Sequence, residues 1–283
     1  MAILSFQSRV VYGHVGHAVA EFALRRLGLD VWPIDTVSFS NQPGHGRPGG
    51  RVQSRGEIDD LVEGLATIGV LPECDAVLSG YLGSAGNGRA VLAAVARVRA
   101  VRADALYCCD PVMGDRDGGL YVDEAQVRFL REEAVPAADI LTPNHFELET
   151  LAAAPLPGLG DVCAAVAALR AQGPRIVLVS SLIVPDFSAD LIGTLATTGD
   201  DAWLVTTPRR ALRARGTGDL LAALFLAHML RGEAVDAALS LAVASTFAVI
   251  EATGNAAELR LMAAQDRLAR PLRLFSAHRL ARA

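Results

Sequence analysis

Short apolar runs punctuate the first two thirds of the chain. Residues 3–6, 31–37, 75–80, 105–109, 140–141 and 176–179 read as strands, each bounded by glycine, proline or small polar residues. Between them, apolar positions recur at three- and four-residue spacing over 17–27, 58–69, 88–100, part of 122–135, 145–153 and 162–172. That is the period of helices with one buried face. Gly28 follows the first helix as a stop signal. Residues 7–16, with Gly13 and Gly16, read as a loop. Residues 39–50 hold Pro43, Gly44, Gly46, Pro48, Gly49 and Gly50. So many breakers argue against regular structure and predict a mobile surface flap. The pattern then changes. Residues 192–205 predict two antiparallel edge strands, and 220–254 two apolar helices. Alternating strands and helices predict an α/β fold whose central, mostly parallel sheet carries helices on both faces. No long linker, internal repeat or low-complexity tract interrupts it, so one domain over 1–283 with a small flap is expected.

Composition narrows the function classes. The 283 residues are 52% hydrophobic and carry a net charge of -5 with no basic run, which disfavours nucleic acid as a partner. No long uninterrupted apolar stretch and no charged leader are evident, so no membrane association is expected. All 26 basic residues are arginine, which excludes any mechanism needing a lysine on this chain. Cys74, Cys108, Cys109 and Cys163 form no CxxC pair, and buried free thiols suited to a reducing cytoplasm are expected.

The strongest chemical signal is Arg215-Gly216-Thr217-Gly218-Asp219, between a loop-like run and a long apolar helix. Glycines there leave the backbone N–H groups at the helix start free to hold an anion such as a phosphate. Asp219 falls in the first turn, where a carboxylate can take a proton from an attacking hydroxyl. The competing reading is a glycine turn with Asp219 satisfying helix-start amides. In open parallel sheets ligands bind beyond the carboxyl ends of strands. The polar residues at those ends are Gln7, Ser8, Phe39 to Asn41, Gly80, Tyr81, Asp110, Asn144, Ser180 and Ser181. Asn144 and Glu147 share one helix face, so they either help hold Mg²⁺ through waters or form a capping box. Phe39 and Tyr81 either stack on a ring or pack in the core. His14, His17 and His45 lack metal-like spacing and read as polar surface or loop residues.

Several motifs together resemble pyridoxal kinases of the ribokinase-like superfamily. They are Ser5-Phe6-Gln7-Ser8, Val11-Tyr12-Gly13-His14-Val15-Gly16, Val37-Ser38-Phe39-Ser40-Asn41 and Leu78-Ser79-Gly80-Tyr81-Leu82-Gly83-Ser84. Cys109-Asp110-Pro111-Val112-Met113-Gly114, Thr142-Pro143-Asn144-His145-Phe146-Glu147 and Gly216-Thr217-Gly218-Asp219 complete the set. The resemblance implies a ribokinase-like fold and ATP-dependent phosphorylation of the 5′-hydroxyl of pyridoxal. It implies Asp219 as the base and Gly216, Thr217 and Gly218 as the anion hole. It also implies Ser8, Phe39 and Tyr81 around the pyridine ring, with Asp110, Thr142, Asn144, Glu147, Ser180 and Ser181 at the nucleotide. Asp110 and Glu147 would serve Mg²⁺, K⁺ often assists, and a homodimer is usual.

Two positions depart from the family pattern. Gln42-Pro43-Gly44 stands where the family usually has a His-Thr pair, so one hydroxyl contact to substrate is missing. Ser180 stands where bacterial relatives often carry a nucleotide-binding lysine. A kinase for hydroxymethylpyrimidine or another small alcohol, and a non-catalytic pyridoxal- or nucleotide-binding protein, are the alternatives.

Overall fold

The computed structural model describes residues 1–199 and 201–280, the side chain of Pro43 excepted. The chain begins β1 (Ala2–Tyr12), α1 (His17–Arg26), β2 (Asp30–Asn41), β3 (Gly50–Val52), α2 (Arg55–Thr67), β4 (Cys74–Ser79), α3 (Ala85–Val101) and β5 (Leu106–Cys109). A small hairpin, β6 (Gly114–Asp115) and β7 (Gly119–Leu120), follows. Next come α4 (Glu124–Phe129), a π-helical turn (Leu130–Ala134) and α5 (Val135–Ala137). The chain continues with β8 (Ile140–Leu141), α6 (His145–Ala152), α7 (Leu159–Arg170), β9 (Ile176–Leu182), β10 (Leu191–Thr198) and β11 (Asp201–Pro208). It closes with α8 (Thr217–Leu230), α9 (Val235–Thr253), α10 (Leu261–Ala269) and β12 (His278–Arg279).

Ten strands form one sheet in the order β12-β11-β10-β9-β8-β5-β4-β1-β2-β3. The six from β9 to β2 are parallel, so their carboxyl ends share one edge. β10, β11 and β12 extend one side antiparallel, and β3 closes the other. The expected edge strands 192–205 are thus antiparallel, but β12 covers β11. Helices cover both faces. One buried cluster joins Leu4, Phe6 and Val77 to α2, α3 and α7. The other joins Ile3, Val31 and Leu178 to α1, α8, α9 and α10. Residues 220–228 of α8 are all buried, which explains an apolar pattern with no polar face. By length and composition α9 alone, among the described residues, could cross a membrane, yet its buried side chains belong to the second cluster.

Two local expectations are corrected. Residues 7–12 are not loop: β1 runs through them, paired with β2 as far as Tyr12 opposite Asn41. Polar side chains persist in this strand because its backbone groups are satisfied by β2 and Arg9 bonds Asp35 at 2.8 and 2.9 Å. The breaker-rich run 39–50 is a hydrogen-bonded hairpin. The Ser40 N–H donates to the Gly49 carbonyl at 2.8 Å, and the Asn41 amide donates to the Gln42 and Gly46 carbonyls. Gly50 permits it, since a Cβ there would stand 2.1 Å from the Ser38 carbonyl oxygen. The glycines fit the close pairing instead of preventing it.

Candidate active site

The start of α8 faces the carboxyl edge of the sheet through the loop 13–16. Gly216 is the N-cap, at φ +98°, and a Cβ there would lie 2.1 Å from the His14 carbonyl oxygen. Only glycine fits, and it has no side chain to cap the first amides of α8, which remain available to an anion. Asp219 sits in that first turn, half-buried. Its Oδ2 accepts the Gly16 N–H at 3.0 Å. Burial pushes the Asp219 carboxyl up to about 6, while the Gly16 N–H and the field of His17 pull the other way. Gly16 in turn presses on Ser8: a Cβ at 16 would stand 2.3 Å from both the Ser8 carbonyl oxygen and Oγ. Ser8, Gly16 and Asp219 therefore form one contact chain.

His17 is not a surface residue, as its spacing suggested. It is 0% exposed, with Nδ1 2.8 Å from Asp35 and Nε2 3.1 Å from the Ser5 carbonyl oxygen.

The ends of β2, β1 and β4 hold the proposed ring-binding residues. The sheet order reverses between β1 and β4, the kind of crevice where open sheets bind ligands. Ser8 is buried in β1, and Phe39, half-buried in β2, pairs with Val10. Tyr81 follows β4, half-buried, and its carbonyl accepts the Thr36 hydroxyl at 2.6 Å.

Further along the same edge stand two carboxylates. Asp110, 5% exposed, follows β5 and is held by its N–H to the Ser79 carbonyl at 2.9 Å. Burial, then the charges of Glu147 and Asp219, push its carboxyl well above the usual range. Glu147 is 4% exposed. Its Oε1 accepts N–H groups of Met113 at 2.9 Å and Gly114 at 3.4 Å, and its Oε2 that of Asn144 at 2.8 Å. Burial and Asp219 push Glu147 up to about 7 against those three donors. Asn144 Oδ1 accepts the Glu147 N–H at 2.9 Å, so the capping box is real. Its amide also donates to the Gly114 carbonyl at 2.8 Å. The charge of Asp219 acts on both Glu147 and Asp110, and that of Glu147 on Asp110. Among the described residues no group of three or more His, Cys, Asp or Glu could hold a metal alone. A cation here must complete its shell with water and phosphate oxygens, the habit of Mg²⁺. Thr142, beyond β8, has a buried Oγ1 with no well-formed hydrogen bond among the described residues, close enough to Asp110 to favour its ionised form. Ser180 bridges to Asn144 and is half-buried, and Ser181 is exposed at φ +58°.

Every residue singled out for this site thus lies on the carboxyl edge or at the start of α8. Sequence reading missed the part played by Gly16 and the burial of His17; Gly16 carried a signal, a glycine directly before a helix.

Known proteins share this fold. The family model described as phosphomethylpyrimidine kinase matches residues 69–260. Pyridoxal kinase PdxY of Rubrobacter xylanophilus is 47% identical over 282 residues, covering 99% of this chain and 97% of that protein. That of Deinococcus radiodurans is 47% identical over 286 residues, covering 98% and 96%. The solved structure of pyridoxal kinase from Leishmania donovani in complex with ADP superposes with a TM-score of 0.94 at 31% identity, covering 99% of both chains. With full-length relatives at this identity, the chain belongs to the pyridoxal kinase family of ribokinase-like fold.

Proposed function

We propose that this chain is an ATP-dependent pyridoxal kinase, transferring the γ-phosphoryl group of ATP to the 5′-hydroxyl of pyridoxal in vitamin B6 salvage. The observation that carries the reading is the Asp219 carboxylate, fixed by the Gly16 N–H at 3.0 Å in the first turn of a glycine-capped helix. With its pKa near 6, Asp219 is largely ionised at neutral pH, as a general base must be. As the 5′-oxygen bonds to the γ-phosphorus, its proton passes to Asp219 and the bond to the β-phosphate oxygen breaks, releasing ADP. The amides of Gly216, Thr217 and Gly218 hold the charge on the transferring group. Ser8 hydrogen-bonds the pyridine ring, and Phe39 and Tyr81 flank it.

Asp110, Thr142, Asn144, Glu147, Ser180 and Ser181 form the nucleotide side. Asp110 and Glu147 would hold Mg²⁺ through water, and the metal supplies charge neutralisation on the triphosphate. The donor set fits: two buried carboxyls, raised first by burial, with the charge of Asp219 acting on both and that of Glu147 on Asp110. K⁺ is proposed as an assisting ion. One kinase domain over 1–283, a homodimer and a cytoplasmic location belong to the same proposal, the last supported by four free cysteines.

The family-model match supports a second reading, a hydroxymethylpyrimidine kinase using the same base. Purified protein with Mg-ATP and a panel of pyridoxal, pyridoxine, pyridoxamine and hydroxymethylpyrimidine separates the two. Phosphorylation of pyridoxal no faster than by Asp219→Asn would refute the leading reading.

A further inference from the structure

Glu258 lies in the turn between α9 and α10, far in sequence from what it touches. Its side chain is 13% exposed. Oε2 accepts the His14 backbone N–H at 2.6 Å, and the His14 ring Nδ1 lies 3.7 Å away. Oε1 pairs with His45 Nε2 and accepts the Gln42 amide at 3.5 Å. The Gln42 amide is itself oriented, since its Oε1 accepts the Gly44 N–H at 2.7 Å. The His45 ring packs edge-on against Tyr12 with centroids 5.2 Å apart. Burial alone would raise the Glu258 carboxyl, but the donors from His45, His14 and Gln42 hold it below its ordinary value. One carboxylate therefore ties the α9–α10 turn to both the loop 13–16 and the tip of the flap.

Both tethered pieces border the site. The loop ends in the Gly16 N–H that holds Asp219, and its His14 carbonyl packs on Gly216. The flap continues directly from β2 and Phe39. At Gly13, φ +114°, a Cβ would meet the Glu258 carboxylate at 3.2 Å, a tight contact that the glycine avoids.

We propose that Glu258 is a positioning residue for the phosphoryl transfer, holding the flap over the pyridoxal pocket and the loop 13–16 against Asp219. This rests on the pyridoxal kinase reading. Charge-assisted hydrogen bonds to a shielded carboxylate are among the stronger ones, so their loss has a measurable effect.

The test uses the full chain and the variants Glu258→Ala, Glu258→Gln and His45→Ala. Hydrogen exchange of residues 40–50 is followed without ligand, then steady-state kinetics with pyridoxal and Mg-ATP. His45→Ala loosens the flap, leaving its Gln42 contact, and keeps the partner of the His14 N–H. Flap exchange and the KM for pyridoxal should both rise about tenfold, with a smaller change in kcat. Glu258→Ala also removes the partner of the His14 N–H, so kcat should fall as well, about tenfold. Glu258→Gln keeps an acceptor for that N–H and should lie between the two. If Glu258→Ala fails to fold, Glu258→Gln and His45→Ala carry the same comparison. Wild-type flap exchange and wild-type KM in the folded variants would overturn the proposal. Faster flap exchange in the variants of a chain that does not phosphorylate pyridoxal would support the tether and refute the kinase reading.

Discussion

Gly16→Ala probes the contact between substrate pocket and base. At φ +54° and ψ −129° the position is one that L side chains rarely adopt, and holding alanine there costs about 1–3 kcal/mol. The new Cβ would stand 2.3 Å from the Ser8 carbonyl oxygen and Oγ, where 3.0 Å is the practical limit. Ser8 is held in a strand paired with β2, so the loop must retreat by about 0.7 Å. A retreat of that size stretches the 3.0 Å bond from the Gly16 N–H to Asp219 beyond useful range. A hydrogen bond to a charged acceptor contributes about 1.5–3 kcal/mol, so kcat/KM should fall roughly ten- to 150-fold. There is a second signature. The Gly16 N–H favours the ionised carboxylate, so its loss raises the Asp219 pKa above about 6. The acid limb of the kcat profile should then move to higher pH. The assay is pyridoxal phosphorylation from about pH 5 to 9, with circular dichroism confirming the fold. A kcat/KM within about twofold of wild type and an unmoved acid limb would refute the role given to Gly16.

Asp219→Asn should keep the fold and nucleotide binding while lowering kcat about 10² to 10⁴, read by turnover and calorimetric ADP binding. Glu147→Gln should raise the Mg²⁺ concentration needed for half-maximal activity, because a neutral amide serves a hard cation poorly; an unchanged magnesium titration would leave Glu147 a capping residue only. Glu147 holds its proton more tightly in the fold, with a pKa about 7 against an ordinary 4.5, so its contribution to stability is complete below pH 4.5 and lost as pH rises through about 7. Metal-free protein should therefore melt higher near pH 6 than near pH 8, and Mg-ATP should narrow the gap. The depressed carboxyls of Asp35 and Glu258 act only at more acid pH and leave that window unaffected. Pro43→Thr, which restores a hydroxyl to the flap, should tighten pyridoxal about threefold to tenfold by calorimetry; unchanged affinity would move hydroxymethylpyrimidine ahead of pyridoxal.

Local pattern carried much of this protein. Apolar runs of strand length separated by amphipathic stretches made a parallel α/β sheet readable, because periodicity reports which face each element buries. The motif Gly216-Thr217-Gly218-Asp219 marked a glycine-capped helix start with a carboxylate in its first turn, because helix-start chemistry is written within a few residues. The shared placement of Ser8, Tyr81, Asp110, Thr142, Asn144 and Ser180 was legible for a related reason: each lies at or beyond a parallel strand, and parallel strands bring their ends to one edge.

Other features needed the tertiary structure. Residues 7–12 and 39–50 looked irregular alone, yet pairing with a neighbouring strand satisfies their backbone and makes strand and hairpin of them. His17 shows no buried signature in sequence, because what buries it are Ser5 and Asp35 on two strands. The raised pKa values of Asp110, Glu147 and Asp219 arise from burial, and for the first two also from carboxylate charges 37 to 109 residues away, which no local window contains. Glu258 reaches His14 across 244 residues and His45 across 213. Sequence determines chemistry that neighbours along the chain can share; charge, burial and tethering between distant segments exist only once folding has brought them into contact.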